Sequence, residues 1–362
     1  MPIKKPAFTY DPQAIILRFV PGLLKWNRNS NKRQMPWKGE KDPYRIWLSE
    51  IILQQTRVEQ GLKYYENFIK TFPDVFALAQ APEEKIFKQW EGLGYYSRCR
   101  NLIHTARFIV EKHKGRFPSS YMDIIQLKGI GPYTAAAIGS FAYNLPYAVL
   151  DGNVYRVLSR IFDIDTPVDN TEGKKKFTNL SQNMLPLSKA GEYNQAIMDF
   201  GAIICKPVPD CHTCFFNKYC LAYLQAKQLM LPVKEKKTKI KERWINYIVL
   251  KHKDKLAIKL RKDKDIWQGL FEFLAIETDR SETRKYILQV FQKEYGIRAF
   301  KPLHFVEEKS QKLSHQFIRF KFIIVELDKK EKIKDFTWIP VTQLSQFPFA
   351  RTVKQFIDEN FS

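Results

Sequence analysis

Cys205, Cys211, Cys214 and Cys220 fall at C-x5-C-x2-C-x5-C spacing, and no other feature of the 362-residue chain limits its folding so tightly. Cysteines crowded in this way inside a cell hold a metal or a cluster rather than pair as disulfides, and a fifth, Cys99, leaves the set odd. Four thiolates bind a [4Fe-4S] cluster or a zinc ion, and ligand type alone leaves both open.

The rest of the composition says what such a loop would serve. With 60 Lys and Arg against 38 Asp and Glu, the formal charge is +22, which makes nucleic acid the first candidate partner. The apolar run over 135–150 is interrupted by Asn144 and Pro146 well short of the roughly 20 residues a bilayer requires. Residues 1–12 carry charges and prolines but no apolar core of a secretory signal. No membrane contact is expected, and the expected location is the cytoplasm, or the nucleoid if the source is bacterial.

Length alone predicts about two domains. Residues 14–226 read as consecutive helical segments punctuated by Pro and Gly. The polar, basic run 234–243 has no apolar face and reads as linker. Beyond it, Ile245, Tyr247 and Val249, a charged turn over 252–255, then Leu256, Ile258 and Leu260 predict a hairpin. A helix over 281–295, a strand over 317–325 and a closing helix from about 350 complete a smaller α+β domain. The predicted division is 1–227 helical, 228–243 basic linker, 244–362 α+β.

Two carboxylates stand out. Asp42-Pro43 reads as an N-cap with proline at the first helical position. Ile46, Trp47 and Ile51 then form the buried stripe, and Glu50 falls on that stripe, where burial raises a carboxyl pKa. A partly exposed Glu at the stripe's edge is the plainer alternative. Asp151 precedes a helix whose face is Val154, Val157, Leu158 and Ile161, so it reads as an N-cap, a position that favours the ionised form. A general acid beside a stabiliser of positive charge needs two such differently poised carboxylates, although a plain cap also accounts for Asp151.

Between them, Leu127-Lys128-Gly129-Ile130-Gly131-Pro132-Tyr133-Thr134 joins two helical stretches through glycines. Such a turn aims free N–H groups at an anion, and a DNA phosphate fits Lys128, Gly129 and Gly131.

In order along the chain, the runs Trp47-Leu48-Ser49-Glu50-Ile51-Ile52-Leu53-Gln54-Gln55-Thr56-Arg57-Val58 and Gly92-Leu93-Gly94-Tyr95-Tyr96-Ser97-Arg98, the glycine hairpin, Leu150-Asp151-Gly152-Asn153-Val154 and the four-cysteine loop resemble the MutY-type adenine DNA glycosylases. The resemblance spans nearly the whole chain. It implies a mainly α helix-hairpin-helix glycosylase domain with a [4Fe-4S] cluster loop, followed by a smaller α+β Nudix-like domain. It also implies a monomeric, monofunctional base excision repair enzyme that hydrolyses the N-glycosidic bond of adenine mispaired with 8-oxoguanine, or with guanine, in double-stranded DNA.

The same resemblance assigns roles. Glu50 corresponds to the acid that protonates the adenine ring, Asp151 to the carboxylate that stabilises the oxocarbenium-like sugar, and Tyr133 and Asn153 to residues lining that site. Gln55 and Tyr95 correspond to residues that fill the hole left by the flipped base. Arg33, Trp37 and Gln195 match adenine-pocket positions. Leu313-Ser314-His315 stands where the family has a Phe-Ser-His loop reading 8-oxoguanine. Two departures accompany the match: that leucine, and a first cysteine gap one residue shorter than usual. The small domain lacks the glutamates of a Nudix catalytic box, showing Gln289, Gln292, Lys293 and only Glu294, so it is read as a binding module.

Two rivals share parts of this pattern. An endonuclease III-like lyase needs a lysine amine where this chain has Tyr133. A catalytically silent lesion binder has no need of both Glu50 and Asp151.

Overall fold

The structure, a computed structural model, describes residues 11–235 and 240–361, apart from the side chains of Glu307 and Glu308. Most of the segment read for a secretory signal, and 236–239 of the expected linker, lie outside the described residues. The helices are α1 (Pro12–Asn29), α2 (Pro43–Leu53), α3 (Val58–Thr71), α4 (Val75–Gln80), α5 (Glu83–Trp90), α6 (Ser97–His113), α7 (Tyr121–Gln126), α8 (Pro132–Tyr143), α9 (Gly152–Ile161), α10 (Thr171–Met184), α11 (Ala190–Ile203) and α12 (Leu221–Leu224). There follow β1 (Lys241–His252), β2 (Lys255–Leu260), β3 (Phe271–Glu272), β4 (Leu274–Thr278), α13 (Arg284–Tyr295), β5 (Lys301–Lys312), β6 (Gln316–Glu326), β7 (Phe336–Pro340) and α14 (Arg351–Phe361).

Packing divides the chain into two compact units; the later boundary falls within the predicted 228–243 linker, and the departure from the sequence reading is an earlier segment. Met1–Phe76 and Thr105–Lys236 form one; Ala77–His104 joins Lys237–Ser362 in the other. The segment goes with the second unit because α5 and the start of α6 bond to its loops at Gln268, Phe347 and Phe349. The expected linker is corrected as well. Lys241 to Arg243 are the first residues of β1, in parallel register with Gln316 to Ile318 of β6.

In the first unit Asp42 caps α2, accepting the Tyr44 N–H at 2.9 Å with Pro43 at the first helical position. Every residue from Ile46 to Ile52 is buried, so α2 is an interior helix and not a half-exposed amphipathic one. The α9 stripe of Val154, Val157, Leu158 and Ile161 packs with Phe19 and Phe200 into the core of this unit.

The second unit is a seven-stranded mixed sheet whose main path runs β3-β2-β1-β6-β5, with β4 paired to β1 and β7 to β2. The predicted hairpin is present, β1 meeting β2 across Lys253-Asp254. Burial of β1 is continuous from Ile245 to Leu250 because both faces are covered. Ile248 and Leu250 pack with Ile287 and Phe291 of α13, while Tyr247 stacks on Phe322, which stacks on Phe356 of α14. Helix α13 begins at Arg284, capped by Thr283, three residues after the predicted start.

Candidate active site

Glu50 is 7% exposed, which settles its position on the buried face of α2 rather than at the edge. Burial pushes its pKa up to about 7, the neighbouring Asp151 charge adds to the rise, and a hydrogen bond from the Tyr133 hydroxyl opposes it. Tyr133 stands in the first turn of α8, the helix packed against α2, and its hydroxyl also lies 4.0 Å from the Met198 sulfur. A carboxyl poised near neutrality and facing a cavity can give up a proton and take it back, which is the requirement for a general acid.

Asp151 caps α9 as predicted, its Oδ1 accepting the Val154 N–H at 2.8 Å and its Oδ2 the Asn153 side-chain amide at 2.8 Å. The capping bonds favour the ionised form as expected, but the net shift of its pKa is upward. Desolvation outweighs the lowering by the Val154 and Asn153 bonds and by Arg156. Arg156 extends the array, donating to Asn153 Oδ1 at 2.8 Å, to the Gly201 carbonyl at 2.8 Å and to the Cys205 carbonyl at 2.8 Å.

Glu50, Tyr133, Asp151 and Asn153 open onto one cavity of ≈ 490 Å³, which Arg33, Trp37, Gln55 and Gln195 also line, together with Gln54 and Met198. The volume is that of a small-molecule or base-sized site. Lys32, beside Arg33, is exposed and does not line it. No lysine is among its lining residues.

Sequence reading missed the group that builds one wall. Residues 31–42 have no regular structure, yet they supply Arg33, Met35 and Trp37 to the cavity. Asp199 of α11, fully buried, fixes that segment: it accepts from Arg33 at 2.8 Å and from Asn31 at 2.8 Å, and pairs with Lys38 at 3.1 Å. The available signal was its place one helical turn after Gln195, on the same face of α11.

Apart from Gln55, the remaining predicted residues lie outside the cavity lining. Lys128, Gly129 and Gly131 form the exposed turn between α7 and α8, with Gly129 at φ +82° and the Lys128 carbonyl held by the Thr105 hydroxyl at 2.9 Å. Gln55 and Tyr95 both adopt left-handed backbone, φ +56° and +49°, a conformation that costs energy for such side chains and clusters at functional sites. Tyr95 belongs to the second unit, as does Leu313-Ser314-His315, the tip of the β5–β6 hairpin, closed by the Leu313 N–H on the Gln316 carbonyl at 2.7 Å.

The four cysteines line one small cavity with Arg160 and Tyr223. Donors already point at sulfur: the Phe216 N–H at 3.4 Å from Cys214 and Arg160 Nη1 at 3.5 Å from Cys205. Among the described residues no group of three or more His, Cys, Asp or Glu is drawn together around a single metal position. Nor is any described helix long and apolar enough to cross a membrane.

The model of the HhH-GPD superfamily of base excision DNA repair proteins matches residues 48–183, and that of the NUDIX domain matches 246–359. The chain is 36% identical over 303 residues to the adenine DNA glycosylase of Buchnera aphidicola subsp. Baizongia pistaciae, covering 83% of each. It is 31% identical over 317 residues to that of Arabidopsis thaliana, covering 75% of this chain and 50% of the relative. Among solved structures it resembles a thermostable thymine-DNA glycosylase, with TM-score 0.55 and 29% identity over 59% of this chain and 98% of the other.

Proposed function

Because this chain belongs to the adenine DNA glycosylases of base excision repair, we propose that it acts on adenine mispaired with 8-oxoguanine, or with guanine, and that it hydrolyses the glycosidic bond without cutting the strand. The observation that carries the reading is the buried Glu50, with its pKa near 7, beside Tyr133 and Asp151 in a base-sized cavity.

Glu50 protonates a ring nitrogen of the flipped adenine, which weakens the bond to the sugar. Asp151, anchored by the Val154 N–H and Asn153, faces the positive charge that develops on the sugar. Burial raises its pKa, and a nearby positive charge favours its ionised form. Glu50, left ionised, then takes a proton from the attacking water. A lyase step needs an amine to form a Schiff base, and the cavity lining offers tyrosine instead.

Capture of the base requires DNA to be held and the stack to be filled. The exposed residues Lys128, Gly129 and Gly131 of the turn suit a phosphate, and Gln55 and Tyr95 suit the gap. Cys205, Cys211, Cys214 and Cys220 would hold a [4Fe-4S] cluster, which the sulfur-directed donors support. When bound, the cluster would shape the loop carrying Lys206 and Lys218 for phosphate contact. The Nudix-like domain reads the opposite base through Ser314 and His315.

Single-turnover excision on an adenine:8-oxoguanine duplex, with borohydride added in parallel, tests the whole reading. Fast excision without a covalent adduct is expected. An adduct as abundant as that of a true lyase would overturn the monofunctional mechanism, and binding without excision would leave only a lesion binder.

A further inference from the structure

The loop Gly92–Tyr96 is internally braced. Trp90 Nε1 donates to the Gly94 carbonyl at 3.1 Å, and the Arg98 guanidinium lies over the rings of both Trp90 and Tyr95, at 5.2 and 5.5 Å. Tyr95 is nevertheless 40% exposed, so the loop presents its ring without enclosing it. A presented ring is only as well placed as the ends of its loop.

Both ends are fastened within the second unit. At the end of α5, Glu91 accepts the Phe349 N–H at 2.8 Å through one oxygen and Lys88 Nζ at 2.7 Å through the other. Lys88 in turn donates to the Phe347 carbonyl at 3.1 Å. At the start of α6, Arg100 donates to the Gln268 carbonyl at 2.6 Å. Gly269, at φ +92°, admits the Phe87 ring so closely that a Cβ there would stand 2.5 Å from it.

The segment so gripped leads straight to the hairpin tip. Phe349 precedes α14, where the Thr352 hydroxyl donates to Gln311 at 3.0 Å, and Lys309 pairs with Glu359. Gln311 and Lys309 lie among the last four residues of β5, before Leu313-Ser314-His315. Thus Tyr95 reaches the hairpin through Glu91, the 347–352 segment and Gln311, by charge-assisted bonds at Glu91 and a neutral side-chain hydrogen bond at Thr352.

We propose that Glu91 is a positioning residue that joins Tyr95 to the 313–315 hairpin, so that the identity of the opposite base governs how Tyr95 enters the stack. The proposal rests on Tyr95 as the wedge and on the hairpin as the reader of that base. An 8-oxoguanine seated at the hairpin holds Tyr95 inserted; a guanine, seated less well, leaves it displaced, and adenine flips less often. Opposite-base preference is then partly a property of α5 and α6, far along the chain from the residues that touch the base.

The test uses the full-length protein with its metal centre, and reads the ratio of single-turnover excision rates for adenine opposite 8-oxoguanine and opposite guanine. A ratio taken within one protein cancels any loss of active fraction. Glu91→Ala is expected to lower the ratio about tenfold, and to add little in a chain already carrying Ser314→Ala and His315→Ala, as coupled sites do. Thr352→Val, which cuts the route at its other end, should lower the ratio similarly and serves if Glu91→Ala fails to fold. Equal loss on both substrates, or effects that simply add to those at 314 and 315, would overturn the coupling. If instead Tyr95→Ala or the 314/315 changes leave the ratio untouched, the wedge or reader assignment itself fails, an outcome distinct from failure of Glu91 alone.

Discussion

Asn153 donates its side-chain amide to Asp151 at 2.8 Å, so both carboxylate oxygens are engaged within the protein, the other by the Val154 N–H. The carboxylate is therefore oriented in advance. Asp151→Asn keeps a capping oxygen for the Val154 N–H but turns an amide towards the Asn153 donor, so stability should fall by about 1 kcal/mol. Single-turnover excision should fall about 100-fold or more, as when a preorganised electrostatic partner is removed. A lower melting temperature with unchanged excision would reduce Asp151 to a cap.

Glu50 makes a prediction with a sign. Its folded pKa is about 7 against an ordinary 4.5, so the folded chain binds an extra proton between those values. The acid form needed for excision is present below pH 7 and lost above it, so single-turnover excision should decline as pH rises through about 7. Stability follows the same direction: it is full below pH 4.5 and falls as pH rises through 7. Glu50→Gln, permanently neutral, should abolish most excision while being more stable than the natural chain at pH 8, by about 1–3 kcal/mol. That advantage should vanish near pH 4. Denaturant melts at the two pH values would decide it, and equal differences at both would show that Glu50 is not protonated on folding.

Asp199 should behave as a support for the adenine pocket. Breaking a fully buried pair costs about 3–5 kcal/mol; Arg33 and Lys38 keep a quarter of their exposure, which screens part of that. Asp199→Asn should thus cost about 2 kcal/mol. It should also free Arg33, raising the substrate concentration for half-saturation more than it lowers the rate at saturation. Arg33→Ala alone should reproduce the binding defect without the full stability loss, and intact binding in both variants would remove this segment from the pocket.

The cysteine loop carries a compositional prediction. Protein purified without oxygen should contain iron and acid-labile sulfide in equal amounts, and replacing any one of Cys205, Cys211, Cys214 or Cys220 by Ser should lower the iron content and weaken DNA binding. Cys99→Ser should leave iron unchanged, since Cys99 is buried inside α6 of a different segment. Stoichiometric zinc in place of iron would replace the cluster with the other four-thiolate centre.

What the sequence disclosed was local. Glu50 was legible because its stripe repeats at helical spacing within α2, and Asp151 because a cap declares itself within four residues. Asp199 was not, since its partner Arg33 lies 166 residues away and a lone Asp in an apolar helix reads like any other. Strand β5 escaped notice for a related reason. Among the described residues it pairs with β6 alone, and in the sequence the charged run Glu307-Glu308-Lys309 breaks the alternation that marks a strand. The affiliation of α5 and the start of α6 with the second unit depends on backbone groups at Gln268, Phe347 and Phe349, which carry no sequence signal at all.

The hairpin tip bears the last prediction. Adenine opposite thymine is the same adenine, so discrimination has to come in part from the partner base. 8-Oxoguanine differs from guanine by a carbonyl and an N–H at its imidazole edge, and a hydroxyl with an imidazole can address both. Ser314 and His315 are exposed and adjacent, the serine oxygen 3.1 Å from His315 Nδ1, so they act as one polar unit. The hairpin that carries them is tied to β1 by the Lys241 N–H on the His315 carbonyl at 3.0 Å. Leu313 packs at the tip but cannot stack as an aromatic ring would, which leaves the reading to hydrogen bonds. Ser314→Ala with His315→Ala should therefore lower the preference for 8-oxoguanine over guanine by about 1–3 kcal/mol, the scale of a good base-edge contact. The excision step itself, set by Glu50 and Asp151 in the other unit, should change little once adenine is bound. Full retention of the preference in that double variant would move the reading of the opposite base to another part of the Nudix-like domain.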